Sequence, residues 1–320
     1  MHELRDSLLG AYPRGTPSVT TSDHGRRDRE SARQSIARGE FQDIRETAFS
    51  NRTWFVTNRY CYVGDGIQTL EEYIHSSWHM YYELGRTIPS ESPEHEGLPM
   101  IHSGTTFLFF VDDLTDLWVN NGGVMSGKHR LNFSTFLAKL ASTRVDKDRL
   151  CQIALLVFRY LFESPQALRS ENEEDEEDLD RGMKQLEIIN LLPSAVAWLK
   201  IAGHNLLFLS EVYWNQCPSD VSKGGETFLE SEFGQRSPSG FSPWRYLFWL
   251  KRLNEIREEA NNANENALEE LASDGVDYMV NTMKERNSEV IEAFRNGGDL
   301  LHQDKHLACL KHLICDDIYF

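Results

Sequence analysis

Residues 106–119 read Thr106-Phe-Leu-Phe-Phe-Val-Asp-Asp-Leu-Thr-Asp-Leu-Trp-Val119. On a helix, at about 100° per residue, Asp112 and Asp116 share one face and Asp113 sits at its edge. Phe107, Phe110, Leu114 and Leu117 form the opposite face. Leu108 and Val119 flank the carboxylates where a solvated face would continue with Lys, Glu or Gln. The stretch therefore predicts an acidic band on a helix that is apolar nearly all round. Buried carboxylates need a cation, a donor or a proton. Asp112, Asp113 and Asp116 have the spacing to bind hard divalent ions along one helix turn. Mg²⁺ suits them, because it prefers oxygen ligands and bridges to diphosphate oxygens.

The residues on either side repeat the helical period. Thr69 to Gly85 places Leu70, Tyr73, Ile74, Trp78, Tyr81 and Tyr82 at helical spacing. Further helices are expected at Leu131–Leu140, Asp148–Phe162, Met183–Ile189 and Ser194–Trp214. Pro243 opens a long helix, followed by helices over Asn261–Phe294 and Leu300–Ile314. Alternating strand patterns and hairpin turns are scarce. The expected fold is all-α: a single helical bundle domain of about ten helices over residues 41–320, behind a mobile N-terminal arm at 1–40. Residues 170–181 read as an acidic loop, with eight acids between Glu171 and Asp180. Residues 217–243, rich in Gly, Ser and Pro, read as a long loop or lid.

The formal net charge of −17 argues against nucleic acid and anionic membranes as partners. The uninterrupted apolar runs fall short of the roughly 20 residues that span a bilayer. The five cysteines are scattered, without a CxxC pair. Together these predict a cytoplasmic protein in a reducing compartment.

Two resemblances follow. Phe109-Phe-Val-Asp-Asp-Leu-Thr-Asp116 resembles the aspartate-rich motif of class I terpene synthases, which are all-helical and of similar length. Asp277-Tyr-Met-Val-Asn-Thr-Met-Lys-Glu285 resembles their second metal motif, with Asn281 in the Ser/Thr place. Asp277, Asn281 and Glu285 fall at i, i+4 and i+8, while Met279 and Met283 point elsewhere, toward a core. Asn254, Glu258 and Asn262 form a competing stripe. Only 35 residues follow Glu285, fewer than is usual in that family, and no Arg-Tyr pair closes the chain.

More of the chain, from about Leu131 to Phe294, is similar to a fungal family of helical proteins of unknown function, the OpdG type. Leu131-Asn-Phe-Ser-Thr-Phe-Leu-Ala-Lys-Leu140, Leu192-Pro-Ser-Ala-Val-Ala-Trp-Leu199 and Pro243-Trp-Arg-Tyr-Leu-Phe-Trp-Leu-Lys-Arg-Leu253 carry that likeness. With the aspartate motif added, the chain also resembles the unorthodox fungal humulene synthases.

The resemblance implies a Mg²⁺-dependent cyclase that ionises farnesyl diphosphate, its prenyl diphosphate partner, to make a sesquiterpene such as humulene. Arg245, Arg252, Lys284 and Arg286 would hold the departing diphosphate. Phe107, Phe110, Trp54, Tyr81, Phe208, Tyr213 and Trp214 would line the prenyl pocket and stabilise carbocations with their ring faces. The rival reading is a non-enzymatic helical interaction module.

Overall fold

A computed structural model describes Gln34, Arg38 and residues 58–64, 67–97, 110–143, 147–168 and 175–315. Most of the expected arm lies outside the described residues, as do Trp54 and Phe107. The described residues form fifteen α-helices and no strand. The all-α expectation holds. The excess over ten comes from short helices inside the segments read as loops and from expected helices that are divided in two.

By its contacts the chain divides into two compact units, Met1–Leu117 and Trp118–Phe320. In the first, α1 (Ile67–Thr87) precedes α2 (Phe110–Asn121), which begins in this unit. Trp78, Met80, Tyr81, Tyr82 and Leu84 of α1 are buried, as are Phe110, Val111 and Leu114 of α2. The edge of the Trp78 ring meets Phe110 at a centroid distance of 4.7 Å, a favoured aromatic geometry.

The second unit is built on α3 (Gly127–Ser142), α4 (Gln152–Phe162), α5 (Ile188–Glu211), α6 (Pro243–Asn262) and α7 (Asn266–Arg286). Helix α5 is its centre and packs most extensively on α3 and α7, while α6 pairs with α7. Gly275 permits the close approach of α7. A Cβ there would come within 3.2 Å of Leu253 on α6 and 3.3 Å of Val196 on α5. By length and composition α5 is apolar enough to cross a membrane, a property the uninterrupted runs did not reveal. In the fold Leu191, Leu192, Trp198, Leu206 and Leu207 of α5 are buried core.

Local chemistry sets the helix ends. The Ser126 and Ser242 side chains accept from the backbone N–H groups of His129 and Arg245, capping α3 and α6. Pro243 occupies the first turn of α6 as expected. Asn287 closes α7 at φ 47°, the left-handed conformation that Asn tolerates. The helix expected over Asp148–Phe162 is instead two, Lys147–Leu150 and Gln152–Phe162, separated by Cys151.

Two segments read as loops have firm anchors. Asp175, within the acidic run, is not simply solvated. Its Oδ2 accepts from Arg130 Nη1 at 2.9 Å, and Arg181 Nη2 lies 3.0 Å from its Oδ1 as an ion pair. The same two arginines donate to the carbonyls of Gly122, Gly123 and Met125 and so hold the α2–α3 turn. Glu176 to Asp180 remain exposed. Within 217–243 lie three short helices, Ser219–Ser222, Glu226–Glu230 and Glu232–Arg236. The expected lid is an ordered segment pinned from beneath.

The pin is the pair Glu163–Arg245, with both side chains at 0% exposure. All five guanidinium N–H groups are used. Nε and Nη2 reach the two Glu163 oxygens at 2.6 and 2.9 Å. Nη1 donates to the carbonyls of Ser222 and Gly240, and the remaining Nη2 hydrogen goes to the carbonyl of Lys223. Glu163 also accepts from Trp249 Nε1 at 2.7 Å and from the Gly225 N–H at 2.8 Å. Donors and lone pairs balance, which is what a buried ion pair requires.

Removing one partner strands a charge. Glu163→Leu is expected to cost about 3–5 kcal/mol in urea unfolding, with Glu163→Leu plus Arg245→Met recovering most of it. Additive losses in the double variant would contradict this account.

Candidate functional site

The aspartates of α2 are placed as the helical period demands, but their setting differs from the expectation. Asp112 and Asp116 are exposed, and Asp113 is half-buried. Val119, expected to extend the apolar surround, is 51% exposed. The helix is therefore two-sided, with a buried Phe110/Val111/Leu114 face and an acidic face open to solvent.

Asp113 has a specific partner that the motif did not foretell. His75 of α1 places Nδ1 2.5 Å from its Oδ2, and Glu71 lies 3.8 Å from the other ring nitrogen. Burial raises the Asp113 carboxyl above the usual aspartate range, while the His75 hydrogen bond and charge pull it down. The flanking Asp116 and Asp112 charges add to the rise. One turn further along α1, His79 faces Glu83 at 4.0 Å. The i, i+4 histidines His75 and His79 are thus each beside a carboxylate. The arrangement can hold and pass protons or accept a cation at its exposed edge. Among the described residues, no three His, Cys, Asp or Glu side chains converge on a metal position.

The second proposed cluster belongs to the other unit. Asp277, Asn281 and Glu285 form an exposed stripe on α7, with Met279 and Met283 buried on the opposite side as expected. Glu285 lies 3.4 Å from His204 of α5. The competing stripe is split: Asn254 is buried, while Glu258 bonds Lys305 at 2.6 Å and His306 at 2.8 Å.

The proposed diphosphate cations fare unequally. Arg245 is corrected outright, because it is buried and has no N–H left to donate. Arg252 is held by Glu255 one turn along α6. Arg286 lies 3.6 Å from Glu211, with its guanidinium 5.8 Å from the Phe208 ring centre. Lys284 is exposed.

The proposed pocket aromatics also separate. Phe110 and Tyr81 are core of the first unit. Trp214 is buried in the second, its ring 6.1 Å from Phe241. Phe208 and Tyr213 face solvent at 36% and 54%. Two clefts among the described residues have other linings, one at Asn215–Ser239 and one beside Arg236 and Gly297.

Comparison with known proteins places the chain. The family described as a protein of unknown function, DUF3632, matches residues 105–253, starting at the aspartate stretch. The oxopyrrolidines biosynthesis cluster protein G of Penicillium oxalicum (strain 114-2 / CGMCC 5302) is 55% identical over 341 residues, covering 98% of this chain and 95% of that protein. This chain belongs to that protein's family. No solved structure matches it. The OpdG-type resemblance thus holds, and no terpene synthase is part of what supports it.

Sequence reasoning missed Glu163 and Asp175, and did not pair His75 with Asp113. One signal was present: a lone acid follows Ile153–Phe162, apolar but for Arg159 and Tyr160, and a lone arginine sits within Trp244-Arg-Tyr-Leu-Phe-Trp249. Opposite charges inside two apolar helices invite pairing.

Exposure predicts that Asp116→Asn changes unfolding free energy by less than about 0.5 kcal/mol, whereas Leu114→Ala costs about 2–5 kcal/mol. The raised Asp113 carboxyl means that the folded state keeps its proton longer than the unfolded chain. Stability should therefore fall as pH rises from the ordinary value of 3.8 to the folded value. Asp113→Asn should remove that slope, read from urea unfolding at a series of acidic pH values.

Proposed function

We propose that this chain serves the biosynthesis of a fungal secondary metabolite, as the Penicillium oxalicum cluster protein's name states for that protein. The carrying observation is likeness over nearly the whole of both chains. The experiment is complementation. In Penicillium oxalicum lacking cluster protein G, this chain should restore oxopyrrolidine production. A soluble, expressed chain that restores none would remove the reading.

Within that role the finer proposal is a class I terpene cyclase using Mg²⁺, with Asp112, Asp113 and Asp116 as its first metal ligands and farnesyl diphosphate as substrate. Its support is the motif and the open acidic face of α2, which a hydrated ion carrying a diphosphate can approach. When bound, Mg²⁺ would neutralise the charge that builds on the leaving oxygens. Asp112 and Asp116 would supply oxygen ligands, and His75 would fix the orientation of Asp113.

The alternative is a non-enzymatic helical module. The specific observation in its favour is that Asp113 is already engaged by an imidazole while its neighbours are spread over an exposed face. Titration calorimetry with Mg²⁺ and inorganic diphosphate separates the two. The cyclase reading expects saturable binding that Asp112→Ala plus Asp116→Ala abolishes, together with a volatile hydrocarbon from farnesyl diphosphate. Neither signal in the folded wild-type chain decides for the module.

A further inference from the structure

A cleft of about 520 Å³ opens in the second unit between residues 215–223 and 229–239. Its two walls are joined by the antiparallel bridge between Lys223 and Ser239. Gly224 N–H donates to Pro238 at 3.2 Å, and Gly240 N–H donates to Ser222 at 2.9 Å. At the rim, the Asn215 side-chain amide donates to the Ser239 hydroxyl at 3.2 Å. From beneath, Arg245 takes three backbone carbonyls, those of Ser222, Lys223 and Gly240. The two walls are therefore tied to each other and to α6 without a ligand, which lowers the ordering cost of binding.

Its chemistry is selective. The chain carries a formal charge of −17, yet no carboxylate lines this cleft and Lys223 does. Lys223 is exposed and, among the described residues, has no carboxylate partner. Leu229 and Pro238 give an apolar side, and Asn215, Ser219 and Ser239 give hydrogen-bonding groups. The volume falls in the range of sites for small organic ligands, about 300–1,000 Å³.

We propose that this cleft binds a small organic acid. Its carboxylate meets Lys223 and the rim hydroxyls, and its compact ring or short chain lies on Leu229 and Pro238. Resting on the biosynthetic role proposed above, the ligand is an acidic oxopyrrolidine, a five-membered lactam bearing a carboxylate. Cys217 also lines the cleft. Burial raises its thiol above the usual range, against the opposing pull of Arg245 and Arg159, so at neutral pH it is a protonated wall group and a reporter of occupancy.

The test uses the purified full-length chain with two probes, 5-oxopyrrolidine-2-carboxylate and the neutral 2-pyrrolidinone. Calorimetry should give saturable binding of the acid and none of the neutral lactam. Lys223→Ala should weaken the acid about tenfold without moving the melting temperature, since only the backbone carbonyl of Lys223 is held by Arg245. The acid should also slow maleimide labelling of Cys217, followed by peptide mass spectrometry with Cys61 and Cys309 as internal standards. Equal binding of both probes, no binding of the acid, or an unchanged affinity in Lys223→Ala overturns the proposal. Failure here with successful complementation in cells would remove the cleft ligand alone. Binding here without complementation would remove the pathway role alone.

Discussion

The second unit depends on a neutralised charge in its interior. Glu163 ends α4, and Arg245 begins α6. Neither could be buried alone, because an unpaired ion in that setting costs far more than one apolar contact returns. Burying them together constrains everything else they touch. Every guanidinium hydrogen and every carboxylate lone pair has a named partner, so the segments supplying those partners must arrive in one arrangement. Gly225 is part of this constraint. A Cβ there would lie 2.3 Å from the Glu163 carbonyl oxygen, so the chain must pass the end of α4 with glycine. Replacement of such pairs by apolar residues is often neutral. Its value here is therefore specificity of arrangement, not a surplus of stability.

The same device recurs where α2 gives way to α3. Arg130 is buried at 0% exposure, and burial alone would push its guanidinium below the usual arginine range. The Asp175 charge and hydrogen bond oppose that. The carbonyls of Gly122 and Met125 and the Asp175 carboxylate would be poorly satisfied in a loop without it. Two arginines on regular elements thus organise two irregular segments. Both segments lie within reach of solvent, where a protein usually places its recognition chemistry.

How much of this the sequence disclosed follows from what periodicity measures. Apolar spacing located α1, α6 and α7 well, because burial of one helix face repeats every 3.6 residues, whereas α5 begins at Ile188, six residues before the expected Ser194. It also separated Met279 and Met283 from Asp277, Asn281 and Glu285. It did not show that Asp112 and Asp116 face solvent. Phe110 and Leu114 accounted for one side of α2, but nothing local reported whether the other side had a neighbour. Nor could it show pairings such as Glu163 with Arg245 or His75 with Asp113, which join residues 82 and 38 positions apart. The Gly, Ser and Pro content of 217–243 indicated irregular backbone correctly. It was silent on the three short helices and on the arginine that holds them.

The exposure of Asp112 and Asp116 bears directly on what kind of chemistry this family can do. A buried carboxylate band would have demanded a cation to fold at all. An exposed one makes no such demand, since water satisfies it. Folding of α2 is therefore independent of metal, and any role for its acids is a property of binding and not of stability. Asp113 is half-buried and has taken an imidazole as its partner. A divalent ion would have to share Asp113 with His75 or displace it. Imidazole is a poor ligand for Mg²⁺ and a better one for the later transition ions. The ion that binds best at this face, and whether His75 joins its ligands, is thus the chemical fact that separates a prenyl diphosphate enzyme from a helical scaffold built on the same α2.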